Sequence, residues 1–234
     1  MKVWEDPRVA RGVKAQLEER RARIAKGEKP LGWKLGFGAP ASMERLKIAA
    51  PLSGYLMQSG LLPSGATVNV RSWTQPMAEP EIGVRLNADL APGSSPAAAL
   101  AAVASLTPAV ELVDLEFAGT SDNLDRVLTR NIYQRHVVLS EQSRDGGSTA
   151  GLASRVFRRG KLAAETADPE ALTGKLPDLL VHLADLLGAF GEKLQAGDLV
   201  ICGSTVPPPM IEPDETDFDY TLEPIGNVSV RFTR

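Results

Sequence analysis

The chain has 234 residues, 26 Lys plus Arg against 29 Asp plus Glu, and 43% apolar residues. That length allows one to two domains with a core of their own, and 24% charged residues exclude a wholly disordered chain and a coiled coil. A net charge of −3 has the wrong sign for a duplex binder, which needs a basic face to displace phosphate counterions, so no nucleic-acid partner is expected.

The first thirty residues carry Glu5, Asp6, Glu18, Glu19 and Glu28 and no apolar run, so they read as neither a secretory signal nor a transit peptide. Residues 7–25 are expected as a helix, with Val9, Val13, Leu17 and Ile24 near helical spacing and Pro30 beyond its end. Its Arg20–Arg23 cluster is interleaved with acids and reads as a solvated face. A short strand is expected over 33–37 and a short helix over 41–49. Gly54, Gly60, Pro63 and Gly65 break 52–70 into short strands and turns.

Strands are expected over 78–88 and 108–117, with an Ala-rich helix over 97–105 between them. Residues 132–140 and 153–166 read as extended. The strongest helix is 177–190, where Leu179, Leu180, Leu183, Leu186, Leu187 and Phe190 form one stripe. Asp178, His182 and Asp185 lie opposite it and read as a wet face rather than a metal site; His136 and His182 are taken as structural. The apolar stretch from Leu179 to Phe190 is interrupted by His182 and Asp185 and is too short to span a bilayer, so a cytoplasmic protein without a membrane partner is expected. Strands follow at 198–202, 218–224 and 226–233. The single Cys, Cys202, excludes an internal disulfide framework and reads as a buried small hydrophobe. Without regular strand–helix alternation, no doubly wound sheet is expected.

The residues that carry chemistry are few. Glu79 and Glu81 flank Pro80 at the head of an apolar strand, two apart and therefore on one face. Pro80 cannot donate to a ladder, which places this stretch at a sheet edge or strand start. Glu111 sits in Pro108-Ala109-Val110-Glu111-Leu112-Val113, where a lone carboxylate is costly to bury unless paired or metal-bound. It is solvent-facing, paired to an Arg, or a metal ligand; hard oxygen donors without clustered His favour Mg²⁺ or Mn²⁺ over Zn²⁺. Lys34, alone in Gly32-Trp33-Lys34-Leu35-Gly36, points to water or meets a buried anion. Gly36-Phe37-Gly38-Ala39-Pro40-Ala41 superficially matches a dinucleotide fingerprint. It lacks the strand–helix–strand context and the later acid, and is rejected.

Taken in order, Gly32-x-Lys34-Leu35-Gly36, Ser53-Gly54-Tyr55-Leu56, Glu79-x-Glu81-Ile82, Pro108 to Asp114, Ser121-Asp122-Asn123, Ala196 to Ser204 and Ile225 to Phe232 form a recognisable series. The series resembles the 2-oxopent-4-enoate hydratase / 4-oxalocrotonate decarboxylase family, within the fumarylacetoacetate hydrolase superfamily. The resemblance implies an α+β fold: a helical N-terminal part over 1–60 and a mixed β-roll catalytic domain over 61–234. It implies three metal-binding carboxylates, falling on Glu79, Glu81 and Glu111, for Mg²⁺ or Mn²⁺. It also implies a catalytic lysine at Lys34, a substrate contact at Ser204, and a homo-oligomer.

The implied activity is a lyase of aromatic catabolism acting on a small 2-oxo acid, first of all hydration of 2-hydroxypenta-2,4-dienoate. The alternatives are a 4-oxalocrotonate-type decarboxylase, a hydrolase cleaving a C–C bond of acylpyruvates, and a non-catalytic metal-binding relative. The chain departs from the family at Met57-Gln58-Ser59, where an acid is usual, at Leu115-Glu116, and at Gly174-Lys175-Leu176-Pro177. Asp122 and Asn123 order the site or cap a turn.

Overall fold

The computed structural model describes residues 2–115 and 124–234. Glu116, Ser121, Asp122 and Asn123, and the readings that rest on them, lie outside the described residues.

Helix α1 (Pro7–Ala25) starts where Asp6 accepts the Arg8 backbone N–H and Pro7 supplies a pre-set first turn. Then come β1 (Pro30–Gly36), α2 (Pro40–Leu46), β2 (Leu52–Met57), β3 (Leu61–Pro63) and β4 (Ala66–Asn69). The middle of the chain holds β5 (Pro76–Leu86), α3 (Pro96–Ala101), β6 (Val103–Asp114), α4 (Leu124–Thr129), β7 (Gln134–Leu139) and β8 (Arg144–Asp145). The last third holds β9 (Ala153–Arg158), β10 (Lys161–Thr166), α5 (Leu176–Ala189), β11 (Leu199–Ile201), β12 (Asp217–Glu223) and β13 (Gly226–Thr233).

The strands form two mixed sheets, so the architecture is the α+β mixed β-roll that the resemblance implied. One sheet runs β2-β1-β11-β5-β6-β7-β3, with β8 added beside β6; the other runs β10-β9-β12-β13-β4. Strands β1 and β2, from the first sixty residues, belong to the larger sheet. The parallel pairs are β1–β11, β3–β7 and β4–β13. Leu112, Leu106, Val110, Val230 and Leu222 are fully buried in the main core between the layers.

Three expectations change, and one helix was not anticipated. The 97–105 helix stops at Ala101, because Val103 already pairs with Leu86 across β5–β6. Helix α4 is six residues long, too short for periodicity to reveal. Pro80 lies inside a central strand rather than at an edge. Ala78 donates to Pro209 and Pro80 accepts from Thr205, so the prolyl nitrogen faces the irregular segment 203–211 and removes no ladder bond. The outer face of α5 is only partly wet: His182 Nε2 stands 2.9 Å from the Pro51 carbonyl oxygen and its ring packs 6.1 Å from Trp4, while Asp185 accepts from Gly93. The apolar stripe behaves as read, with Leu180, Leu183, Leu186 and Leu187 fully buried, each contributing about 1.5–3 kcal/mol. Cys202 is buried, which pushes its thiol pKa up. No helix among the described residues is long and apolar enough to cross a membrane.

Candidate metal centre

Strand pairing assembles the site. In the antiparallel β5–β6 register Glu79 stands directly opposite Glu111, and Glu81 opposite Ala109. Alternation puts Glu79 and Glu81 on one face, and the register brings Glu111 to the same face. The carboxylates offer oxygens that all lie within 4.8 Å of one another, the one such cluster of three among the described residues. Glu81 and Glu111 are fully buried, and Glu79 is half-buried.

Lys34 reaches this cluster from two strands away. Strand β11 lies between β1 and β5 and is three residues long, ending at the level of Lys34 and Gly83. Beyond that level the chain turns at Gly203, whose φ of 103° favours glycine. The Gly203 N–H donates to Glu81 Oε2 at 2.7 Å. Lys34, 1% exposed, crosses the opening and donates to Glu111 Oε1. Lys34 thus meets a buried anion rather than water, and Glu111 is paired to a lysine rather than to solvent or an Arg.

Three carboxylates against one ammonium leave negative charge in a dry place. Burial pushes the Glu111 carboxyl pKa up to about 7, opposed by Lys34. Burial, then Glu111 and Glu79, push Glu81 well above the usual carboxylate range. Burial raises Glu79 as well, with Lys34 opposing. Two buried oxygens, Glu81 Oε1 and Glu111 Oε2, have no hydrogen-bond partner among the described residues. Buried carboxylate oxygens of this kind need a proton or a cation. Hard oxygen donors with excess negative charge and unused lone pairs fit a divalent ion of the Mg²⁺ or Mn²⁺ type.

A cavity of about 340 Å³ opens onto the cluster. Lys34 and Glu79 line its floor, with Glu81 and Glu111 buried behind them. Phe37, Met77, Val113, Leu115 and Ile132 give it an apolar wall, and Ser42, Arg45, Thr173 and Ser204 give polar groups. Ser204 is 5% exposed, and its hydroxyl donates to the Val206 carbonyl at 2.5 Å, so the hydroxyl oxygen keeps its lone pairs for a ligand. Gln58 and Ser59, where the family's acid is missing, are exposed, and Ser59 donates to Glu28. His136 stacks on Trp73. Sequence reasoning missed Arg45, Thr173 and the Asn131–Tyr133 turn, whose signals are a helix phase, a loop path and a backbone conformation rather than a motif.

No family model matches the chain. A 2-hydroxyhexa-2,4-dienoate hydratase of Comamonas testosteroni is 30% identical over 219 residues, covering 91% of this chain and 82% of that protein. The solved 4-oxalocrotonate decarboxylase of Pseudomonas putida G7, complexed with magnesium and adipate, superposes with a TM-score of 0.87 at 25% identity over 99% of this chain and 90% of that one. A fumarylpyruvate hydrolase of Pseudomonas aeruginosa in complex with Mn²⁺ and pyruvate shares the fold, with a TM-score of 0.68 at 11% identity over 86% and 88% of the two chains. With that level of identity along nearly the whole chain, and that fold around a carboxylate triad, the chain belongs to the 2-oxopent-4-enoate hydratase / 4-oxalocrotonate decarboxylase family.

Proposed function

We propose that this chain is a divalent-metal-dependent lyase that hydrates a small 2-hydroxy-dienoic acid of the 2-hydroxypenta-2,4-dienoate type. The observation that carries the reading is the triad of Glu79, Glu81 and Glu111, with two orphan oxygens, beside a buried lysine at the floor of a mostly apolar cavity. Those three residues would hold the ion. When bound, such an ion supplies Lewis acidity toward the C2 oxygen of a 2-oxo acid and positive charge for its carboxylate.

The protein's own groups do the rest. Lys34 Nζ stands at the floor beside Glu111, where its charge offsets negative charge that builds on the substrate oxygen. Hydration takes up one water: the enol proton leaves, C3 and C5 each gain a proton, and the water oxygen bonds to C4. Phe37, Val113 and Ile132 keep bulk water from the diene, and Ser204 offers an acceptor to a substrate hydroxyl. Homo-oligomerisation belongs to the same reading, and sedimentation velocity of the purified chain tests it.

The test follows the dienol ultraviolet band of 2-hydroxypenta-2,4-dienoate with Mg²⁺, with Mn²⁺ and with excess chelator. Metal-dependent loss of the band, with 4-hydroxy-2-oxopentanoate as product, is expected. Only buffer-catalysed ketonisation in every arm would sink the hydratase reading.

Arg45 supports a second reading. It is an exposed residue that lines the same cavity, and a guanidinium suits a second carboxylate. A 2-oxo dicarboxylate of the 4-oxalocrotonate type would then be decarboxylated, the electrons of the lost carboxylate bond passing to the 2-oxo group. Faster turnover of oxalocrotonate than of the dienoate, with its KM raised in Arg45→Ala, selects this reading.

A further inference from the structure

The lysine at the cavity floor is held by more than its ion pair. Lys34 stands opposite Gly54 in the β1–β2 register. A Cβ at Gly54 would come within 2.8 Å of Lys34 Cγ and 3.0 Å of Asn131 Oδ1, and one at Gly36 would come within 2.9 Å of Ile132 Cγ2. The lysine stem therefore runs in a slot that two glycines leave open and that residues 131–132 close.

The closing segment is unusual. Asn131, Ile132 and Tyr133 have φ of 51°, 50° and 61°, a left-handed turn without a glycine. Ile132 is β-branched, the side-chain type least suited to that backbone. Such a run persists only where its surroundings over-determine it, and runs of this kind cluster at functional sites. Here the determinant is visible. The Tyr55 N–H donates to Asn131 Oδ1 at 2.8 Å, and Asn131 Nδ2 donates to the Tyr55 carbonyl at 2.8 Å. A buried carboxamide thus stands in for a strand partner of β2. Behind it, Gln16 of α1 donates to the Leu128 carbonyl at 3.0 Å and anchors α4, which leads into the turn. The turn's product is the Ile132 carbonyl, 3.4 Å from Lys34 Nζ, on an ammonium that also meets Glu111.

We propose that Asn131 is a positioning residue for Lys34. Its carboxamide fixes the left-handed turn, the turn places the Ile132 carbonyl, and that carbonyl together with Glu111 sets where the ammonium stands against the carboxylate triad. The expected effect on turnover rests on the lyase reading above; the effect on metal affinity does not.

A double-mutant cycle with Asn131→Ala and Lys34→Met tests it, read by Mn²⁺ titration and by steady-state hydration of the dienoate. Removing the ammonium beside Glu111 should tighten Mn²⁺ binding roughly tenfold. Asn131→Ala should shift Mn²⁺ affinity the same way by about threefold and lower kcat about tenfold, with KM within about threefold. In the Lys34→Met background the same change should alter neither quantity by more than about 1.5-fold, since residues that act through one another do not add. Full additivity of the two substitutions, or wild-type Mn²⁺ affinity and kcat in folded Asn131→Ala, overturns the proposal. If Asn131→Ala does not fold, Asn131→Gly accepts the positive φ while deleting the carboxamide, and it carries the same cycle. If the wild type binds Mn²⁺ but leaves the dienoate unchanged, the hydratase reading fails and the Mn²⁺ arm still decides the positioning role. If it binds no Mn²⁺, both fall.

Discussion

Two buried acidic clusters in this molecule are built on opposite principles. Beside the end of β9 in the smaller sheet, Glu215 is 2% exposed. Arg158 of β9 donates to Glu215 Oε1 at 2.6 Å and forks to Oε2, and the Glu212 N–H donates to Oε2 at 3.0 Å. One anion meets one cation, and every oxygen has a donor. At the cavity floor of the larger sheet, three carboxylates share one lysine, and Glu81 Oε1 and Glu111 Oε2 have no partner among the described residues. The first arrangement closes a loop onto a strand and needs nothing further. The second is under-neutralised by design of the register and gains its complement only from a ligand. Burial alone therefore does not mark a functional carboxylate; the count of donors around it does.

The largest expected effect comes from breaking the under-neutralised cluster. Glu81→Gln removes one anionic ligand and should weaken Mn²⁺ binding by about 100-fold or more and abolish hydration. Stability of the metal-free protein should rise by about 1 kcal/mol, because a neutral amide takes the place of one of three crowded buried carboxyls. Isothermal titration with Mn²⁺ and denaturant melts with chelator read the two arms; a metal-free protein made less stable by the change would break the comparison. The reverse is expected at the satisfied cluster. Glu215→Gln leaves Arg158, itself partly exposed, without its anion and should cost about 2–3 kcal/mol in urea melts. Mn²⁺ affinity should stay within about twofold, and a larger change would mean that the two clusters communicate.

The sequence showed one of these clusters far better than the other. Period-two alternation placed Glu79 and Glu81 on one face, and a carboxylate among Val110, Leu112 and Val113 stood out against its neighbours. The isolated Lys34 stood out for the same reason. The facing of Glu79 and Glu111 was not legible, since register between strands separated by a helix is a tertiary property. Pro80 was misread because its missing N–H faces the 203–211 segment, more than a hundred residues away in sequence. The Arg158–Glu215 pair joins residues 57 apart with no motif at either end. Asn131 carries a message written in φ angles and a carboxamide's partners, which no residue pattern displays. Helix α5 was legible nearly to its ends because its stripe is long and unbroken.

The last expected effect is a pH dependence that arises at the cavity floor. Burial raises the folded-state pKa of Glu111 to about 7, from the usual carboxylate value near 4.5. The metal-free native state then holds a proton that the unfolded chain has already released over this interval. Stability from Glu111 is present at low pH and is lost as pH rises through its folded-state value, by roughly 3 kcal/mol. Urea melts of chelated protein should therefore give a midpoint that falls between about pH 5 and 7. Saturating Mn²⁺ should reverse the slope, since the ion needs the carboxylates deprotonated and stabilises only the folded chain. Glu81→Gln should shrink the slope without metal. A metal-free protein whose midpoint climbs across that interval would place the protons elsewhere and dissolve the contrast between the two clusters.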